Sequence, residues 1–306
     1  MATTEHVAST ERVPPREVEF LSQGVCCRGD FFRPSGSGPF PIIVMGHGLG
    51  GTRNMRLPAY AERFADAGYA CLTFDYRHFG GSDGLPRQIL DIGRQLDDWR
   101  AAIKYARSLK EGDPENIIIW GTSFGGGHVM AIGSEDNRLA AVISQCPFTS
   151  GLASSLTMSP VVSVKLTALA LRDKIGSLLG AKPAMVPLVG PPGSTALMST
   201  PDAYAGYTGL LPAGENIPDY VAARFALQII RYYPGRNNSR MLAPMLVCIC
   251  DTDSVAPPGP TVNYAKQAPR HEIKHYPEGH FEIYVGDAFE RIISDQIDFL
   301  KRNVPV

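Results

Sequence analysis

The sequence predicts an α/β protein with a doubly wound, mostly parallel sheet. Five short apolar runs, rich in β-branched residues, recur along the chain and are typical of strands buried on both faces. They lie at residues 41–45, 70–74, 116–120, 141–144 and 245–249. Helical patterns separate the first four runs, so strand and helix alternate through residue 144, as in a doubly wound sheet.

The first and last elements complete this prediction. Residues 18–33 alternate apolar and polar side chains around Gln23-Gly24, which indicates an N-terminal antiparallel hairpin. Pro58 fits the first turn of the first helix, and apolar residues three and four apart predict another helix from Ile92 to Ala106. A last strand at 272–276 and a helix over 289–300 follow in the same way.

The alternation of strand and helix stops at Pro147 and resumes near Met241. The interval contains a helical pattern at 161–179, a stretch rich in Pro and Gly at 182–214, and a second helical pattern at 220–233. We therefore expect a core made of residues 1–147 and 241–306. Residues 148–240 would form an inserted helical cap.

Composition and charge favour a small, weakly charged partner. The 306 residues include 29 Lys or Arg and 30 Asp or Glu, which argues against a nucleic-acid partner. The first 20 residues are polar and no apolar stretch is long enough to span a membrane, so we expect a cytoplasmic protein. The six cysteines lack zinc-ligand spacing, so we interpret them as packing residues in the reduced thiol state. We expect no metal and no cofactor. The sequence leaves open whether the protein forms a homodimer.

The strongest chemical signal is Gly121-Thr-Ser-Phe-Gly125, which follows a buried strand directly and leads into a helical segment. A serine on a tight strand-to-helix turn is exposed in a strained conformation. Glycines two residues before and after it permit a close approach of the backbone. Ser123 is therefore the candidate nucleophile, with Gly121 and Gly125 supporting its turn.

A second motif, Met45-Gly-His-Gly-Leu-Gly-Gly51, follows an earlier predicted strand. Acyl transfer passes through a tetrahedral oxyanion, which requires preorganised N–H donors. We expect the backbone amides of Leu49 and Phe124 to supply these donors. His47 is interpreted as a support of the loop and not as a proton-transfer group.

The general base should be a histidine late in the chain, after an acidic residue. His280 lies on a Gly-containing loop between the last predicted strand and the last helix. His271 and His275 lie before or within that strand. His78 and His128 come too early in the chain order and are interpreted as packing or surface residues. Asp251 and Asp253 both follow the strand at 245–249, and we favour Asp253 because a residue further into the loop reaches outward more readily. Asp251 would then cap a turn.

Taken together, these motifs resemble the α/β-hydrolase superfamily over residues 18–300. Gly46-His-Gly-Leu-Gly-Gly51 resembles its oxyanion loop, residues 74–82 (Phe-Asp-Tyr-Arg-His-Phe-Gly-Gly-Ser) resemble its Asp-x-Arg-x-x-Gly-x-Ser element, and residues 253–257 (Asp-Ser-Val-Ala-Pro) resemble its acid loop. The hairpin and residues 187–202 look like the dienelactone-hydrolase-like group that includes fungal polyketide transferases. Dienelactone hydrolases have cysteine at the strand-to-helix turn where this chain has Ser123, so their substrate is not carried over. Cys146 lies after another predicted strand and is not a candidate nucleophile.

The predicted function is a serine hydrolase that cleaves an ester or thioester of a small hydrophobic, polyketide-like acyl group through an acyl-serine intermediate. An acyltransferase or polyketide transferase would use the same residues and pass the acyl group to an alcohol or amine. A non-catalytic ligand-binding protein of the same fold is a further alternative. A peptidase is another, but we find no residue set in the sequence that marks a peptide terminus.

Overall fold

The computed structural model describes residues 12–306, and their main feature is a sheet of six parallel strands extended by an antiparallel hairpin. The strands of this sheet are β1 (Arg16–Ser22), β2 (Val25–Phe32), β3 (Phe40–Gly46), β4 (Ala70–Phe74), β5 (Gly112–Thr122), β6 (Ala141–Gln145), β9 (Met245–Cys250) and β10 (His271–Tyr276). Two short strands, β7 (Met185–Pro187) and β8 (Tyr220–Ala222), pair with each other outside it.

Within the described residues the order of the large sheet is β1-β2-β4-β3-β5-β6-β9-β10. Both β1 with β2 and β2 with β4 are antiparallel, and every later pair is parallel. The predicted α/β fold class with an N-terminal antiparallel hairpin is thereby confirmed. The central strands are buried on both faces, which explains their nearly continuous apolar sequences.

Helices cover both faces of the sheet. They are α1 (Leu57–Asp66), α2 (Ile92–Ala106), α3 (Phe124–Gly133), α4 (Gly151–Ser155), α5 (Pro160–Leu178), α6 (Ala203–Thr208), α7 (Ala226–Ile229), α8 (Pro258–Ala265) and α9 (Gly286–Asn303). Trp120 in β5 shows how they attach: its indole N–H donates to Gln296 of α9 at 2.9 Å, and its ring lies 4.9 Å from the ring of Tyr60 in α1. Trp120 thus connects the sheet to α1 through ring contact and to α9 through a hydrogen bond that satisfies its buried N–H.

The chain between β6 and β9 contributes no strand to the large sheet. The helix predicted at 161–179 is present as α5. The prediction of one helix over 220–233 was wrong, because the backbone of β8 pairs with β7 and leaves helical structure only over the residues that follow, including the single turn of α7. The division into a core and an inserted cap at residues 148–240 stays a prediction, and we use "cap segment" for residues 148–240 below.

Parallel strands place their carboxyl ends at one edge of the sheet, and this edge carries the predicted site. The loops after β3, β5, β9 and β10 contain His47, Ser123, Asp253 and His280, respectively. No helix in the part of the chain that the structure describes is long and apolar enough to cross a membrane.

Candidate active site

Ser123 occupies a sharp turn between β5 and α3. Its backbone has φ 56° and ψ −118°, a left-handed conformation that a residue with a Cβ rarely adopts. Hydrogen bonds hold the turn on both sides: Ser123 N donates to the carbonyl of Gln145 at 2.9 Å, and its carbonyl accepts from Phe148 N at 2.9 Å. The side chain is half-buried, whereas its neighbours Thr122 and Phe124 are buried.

The glycines around Ser123 permit backbone contact that no side chain would allow. A methyl group on Gly121 would lie 2.2 Å from the carbonyl oxygen of Gly125. A methyl group on Gly125 would lie 2.5 Å from the carbonyl oxygen of His47, and one on Gly48 would lie 2.9 Å from Ser123 Cβ. The loop after β3 therefore rests directly on the turn that carries Ser123.

His280 joins Ser123 to an acidic residue. Its Nε2 lies 3.0 Å from Ser123 Oγ, and its Nδ1 lies 2.6 Å from Asp253 Oδ2. The other carboxylate oxygen of Asp253 accepts from the backbone amides of Val255 at 2.8 Å and Ala256 at 2.6 Å. Both side chains of the Asp253–His280 pair are 2% exposed. The carboxylate is thus fixed by the loop in which it lies, and it orients the imidazole.

Asp251, the competing carboxylate, points elsewhere. It is exposed, and its Oδ1 lies 2.6 Å from Nδ1 of His275, which is also exposed. The structure therefore brings Asp253, and not Asp251, to His280. The turn-capping role that the sequence favoured for Asp251 gives way to a surface pair between neighbouring strands.

The charge of Asp253 sets the protonation of His280. Burial by itself would lower the pKa of this imidazole, because a charged form loses its hydration. Nearby groups, of which the Asp253 carboxylate has the largest effect, outweigh burial and raise the pKa of His280 above its ordinary value. A positive charge that developed on this ring would therefore be stabilised.

The two predicted oxyanion donors belong to residues beside Ser123. Leu49 and Phe124 line the same cavity as the serine, and among the hydrogen bonds of residues 12–306 neither of their N–H groups donates to another protein group. Phe124 begins α3, where the helix dipole favours negative charge. Tyr207 of α6 donates to the Leu49 carbonyl at 3.2 Å and so holds the next peptide, Leu49–Gly50, in the same loop. Sequence reasoning missed Tyr207, which lies in a stretch with no recognisable motif.

His47 lies beneath the loop. Its Nδ1 is 3.0 Å from the carbonyl of Gly48, its ring packs edge-on to Tyr76 at 4.6 Å, and burial lowers its pKa. Its Nε2 lies 4.0 Å from Asp75, which accepts from the backbone amide of Arg53 at 2.7 Å and that of Gly81 at 2.9 Å. Asp75 thereby joins the loop after β3 to the loop after β4.

The remaining histidines and the cysteines have other surroundings. His128 is buried between Tyr232 (2.7 Å) and Gln95 (3.0 Å), and burial lowers its pKa to about 3. The ring nitrogens of His78 contact Pro86 and Arg94. All six cysteines are unpaired, five of them buried and Cys26 partly buried. Their interpretation as reduced packing residues agrees with this placement.

Ser123 lies where two cavities meet. The larger, of about 200 Å³, extends below the cap segment and has a mostly apolar wall. It is continued by a cavity of about 100 Å³ that shares Met158, Leu197 and Ile229 with it. The smaller, of about 30 Å³, lies on the His280 side and is lined also by Tyr207 and Phe281. These lining residues come from distant parts of the chain, and no sequence signal marked them.

The cap segment is also fastened to the acid loop. Ser254 Oγ donates to Asp202 Oδ1 at 2.7 Å and lies 3.1 Å from Thr200 Oγ1. Both partners belong to the cap segment, and Ser254 is the neighbour of Asp253. The position of the larger cavity's wall is therefore coupled to the loop that holds the carboxylate.

The close contact at Gly125 gives a testable prediction. We expect Gly125→Ala to force the loop after β3 away from Ser123 and to destabilise the protein by about 1–3 kcal/mol, the usual effect of overpacking. Urea unfolding would measure this difference. Gly259→Ala is the matched control, because a methyl group there meets nothing within 4 Å. Equal stability of the two variants would contradict the contact.

Comparisons with known proteins identify the family of the chain. A family model described as Hydrolase_4, serine aminopeptidase S33, matches residues 37–287. The quorum-quenching protein AidA of Acinetobacter baumannii is 64% identical over 300 residues, which cover 97% of this chain and 99% of that protein. The polyketide transferase grgF of a Penicillium species is 27% identical over 304 residues, or 95% and 98% of the two chains.

A solved structure shows the same fold. The crystal structure of the alpha/beta hydrolase GrgF from Penicillium superposes with a TM-score of 0.81 at 25% sequence identity, covering 96% of this chain and 100% of that chain. The resemblance to α/β hydrolases and to fungal polyketide transferases, predicted from the motifs, is thereby confirmed.

Proposed function

Because the chain belongs to the serine aminopeptidase S33 family of α/β hydrolases, we propose that it is a serine hydrolase with Ser123 as nucleophile. The observation that carries this proposal is a pair of hydrogen bonds that share His280. They measure 3.0 Å from Ser123 Oγ to His280 Nε2 and 2.6 Å from His280 Nδ1 to Asp253. A nucleophile, a base and an orienting carboxylate need this geometry.

In the proposed first step, Ser123 Oγ attacks the carbonyl carbon of an ester or thioester while His280 Nε2 takes the hydroxyl proton. The carbonyl oxygen becomes an oxyanion, and the amides of Leu49 and Phe124 donate to it. When the intermediate collapses, His280 returns the proton to the leaving alcohol or thiol, and an acyl-serine remains. His280 then deprotonates a water that attacks the acyl carbonyl carbon, and it passes this proton to Ser123 Oγ as the bond to the serine breaks and the acid leaves.

The two cavities at Ser123 suit different parts of the substrate. The mostly apolar cavity below the cap segment suits an acyl chain, and the small cavity on the His280 side suits the leaving group. We extend the proposal to a diffusible acyl ester or lactone signal, since the relative at 64% identity is named a quorum-quenching protein. Hydrolysis of such a bond is a means by which a serine hydrolase would inactivate a signal.

Transfer of the acyl group is the second candidate, supported by the relative named a polyketide transferase. The same acyl-serine would be attacked by an alcohol or amine in place of water. Peptidase activity, which the family description suggests, finds less support: of the described residues, no Asp or Glu lines either cavity at Ser123 to bind a peptide's ammonium group. A purely ligand-binding role would leave the hydrogen-bonded Ser123–His280–Asp253 arrangement without a purpose.

The first test removes the nucleophile. We expect Ser123→Ala to lower kcat/KM for p-nitrophenyl esters at least about 10³-fold and to abolish covalent labelling by a fluorophosphonate. Ser199→Ala is the matched control, because Ser199 lines the same cavity without contacting His280 and should keep full labelling. If Ser123→Ala retains turnover or labelling, the proposal fails. Adding an alcohol or amine acceptor to the same assay distinguishes an acid product from a transfer product.

The second test uses pH. The base acts only when neutral, so a raised pKa of His280 moves the rise of kcat/KM with pH to a more alkaline range than the usual value of about 6.5. Asp253→Asn removes the charge, and we expect the apparent pKa to fall and kcat to drop about 10⁴-fold, the size of effect seen in other triads. Asp251→Asn should leave the profile unchanged, since its partner is His275. A similar loss in both variants would argue against the assignment.

The third test concerns the acyl chain. Ala226 lines the cavity of about 100 Å³ that continues the larger one, so Ala226→Phe should fill it. We expect kcat/KM to fall about tenfold or more for long acyl esters and to stay unchanged for acetyl and butyryl esters, since several methylenes would lose their contacts. Ala205→Phe, at an exposed position of α6, should alter neither series. A uniform loss over all chain lengths would place the acyl chain elsewhere.

A further inference from the structure

Helix α5 presents an apolar face to solvent. Six of its residues form this face, which we call the outer stripe: Val161, Val164, Ala168, Leu171, Ile175 and Leu178. Their spacing alternates between three and four residues, which places them in one line along the helix. The exposed fraction reaches 69% at Val164 and 76% at Leu178. The opposite face of α5, with Val162, Leu166 and Ala170, is buried on the cap segment.

The exposed charges on α5 are all positive. Lys165, Arg172 and Lys174 are exposed, and none of them forms an ion pair among residues 12–306. The acid of the helix, Asp173, faces inward and pairs with Arg224 at 2.7 Å. The cap segment as a whole has eight Lys or Arg and four Asp or Glu, whereas the net charge of the whole chain is −1. The apolar stripe is thus bordered by cations on the positively charged part of a weakly acidic protein.

A second copy of the chain fits this surface poorly. In a two-fold dimer the same patch meets itself, so two sets of cations would flank the contact. Helix α5 has 19 residues and is therefore about 28 Å long and about 10 Å wide, so its face covers on the order of 300 Å², against about 800 Å² per partner in a stable interface. Complementary charge and sufficient area would both have to come from elsewhere on the molecule.

An anionic lipid surface satisfies both features of α5. Apolar side chains of an interfacial helix enter the boundary between headgroups and acyl chains, and the flanking cations lie near the phosphates. We propose that the outer stripe docks the protein on anionic membranes, with α5 lying in the plane of the surface. This inference is independent of the chemistry at Ser123.

The proposed docking surface lies beside the cavities that lead to Ser123. The cavity of about 100 Å³ is lined by Ser163, Leu166 and Thr167 of α5, and Thr167 is exposed beside the outer stripe. The same cavity shares Met158 and other apolar residues with the one that reaches Ser123. A membrane against α5 would therefore lie next to an apolar path toward the serine, where amphiphilic acyl compounds partition.

The test is co-sedimentation of the whole protein with phosphatidylcholine vesicles, with and without phosphatidylglycerol. We expect binding to the anionic vesicles that weakens as salt is added, because screening reduces the attraction of the cations. Leu171→Ser/Ile175→Ser should lower the bound fraction at least about tenfold through loss of apolar burial. Lys165→Ser/Lys174→Ser should remove the preference for anionic lipid. All four positions are exposed, so the urea midpoint should not move.

Leu242→Ser is the matched control. Leu242 is 59% exposed and precedes the amino end of β9, at the edge of the sheet opposite the site, so its substitution should not affect vesicle binding. The Ser123→Ala variant should bind vesicles normally, which separates this proposal from the proposed chemistry. Absence of binding, equal binding to neutral and anionic vesicles, or a dimer in sedimentation velocity that Leu171→Ser/Ile175→Ser abolishes would each overturn the proposal.

Discussion

Backbone contact between the loop after β3 and the turn at Ser123 is the constraint on which the site depends. Gly125 lies so close to the carbonyls of Gly46 and His47 that no Cβ fits between them. This contact holds the loop that contains Leu49 against the turn that precedes Phe124, and it does so through main-chain atoms, which have few ways to move. In the proposed mechanism these two N–H groups would receive the oxyanion, and donors held by main-chain contact would need little reorganisation during the reaction.

The strands and motifs could be predicted because their signals are local. A buried parallel strand appears in the sequence as a continuous apolar run, and the turn at Ser123 requires glycines at fixed offsets. The cap segment has no such signals. Tyr220–Ala222 is a strand only because Met185–Pro187, over thirty positions earlier, pairs with it, and helical periodicity at 220–233 concealed this. Helix α8 was missed because Pro257, Pro258 and Pro260 give its start the sequence of a loop.

The site shows the same division between local and distant information. The glycine-flanked turn after a buried strand led to Ser123, and chain order and loop position led to His280. The advantage of a residue further into the loop led to Asp253. What holds them could not be read from the sequence. Tyr207 supports Leu49 from a helix of the cap segment, and Asp202 contacts the neighbour of Asp253. These contacts join residues at least 50 positions apart in the chain, so only the folded structure shows them.

Helix α5 illustrates how a surface property can be hidden in composition. Its apolar residues lie on two opposite faces, so its sequence resembles that of a helix buried all round. The inner face packs on the cap segment and needs no further explanation. The outer face leaves large aliphatic side chains such as Ile175 and Leu178 in water, at 59% and 76% exposure. We interpret contiguous apolar surface of this kind, bordered by cations, as the proposed interaction site. The same helix would then both line the path of an acyl group and face the phase in which that group dissolves.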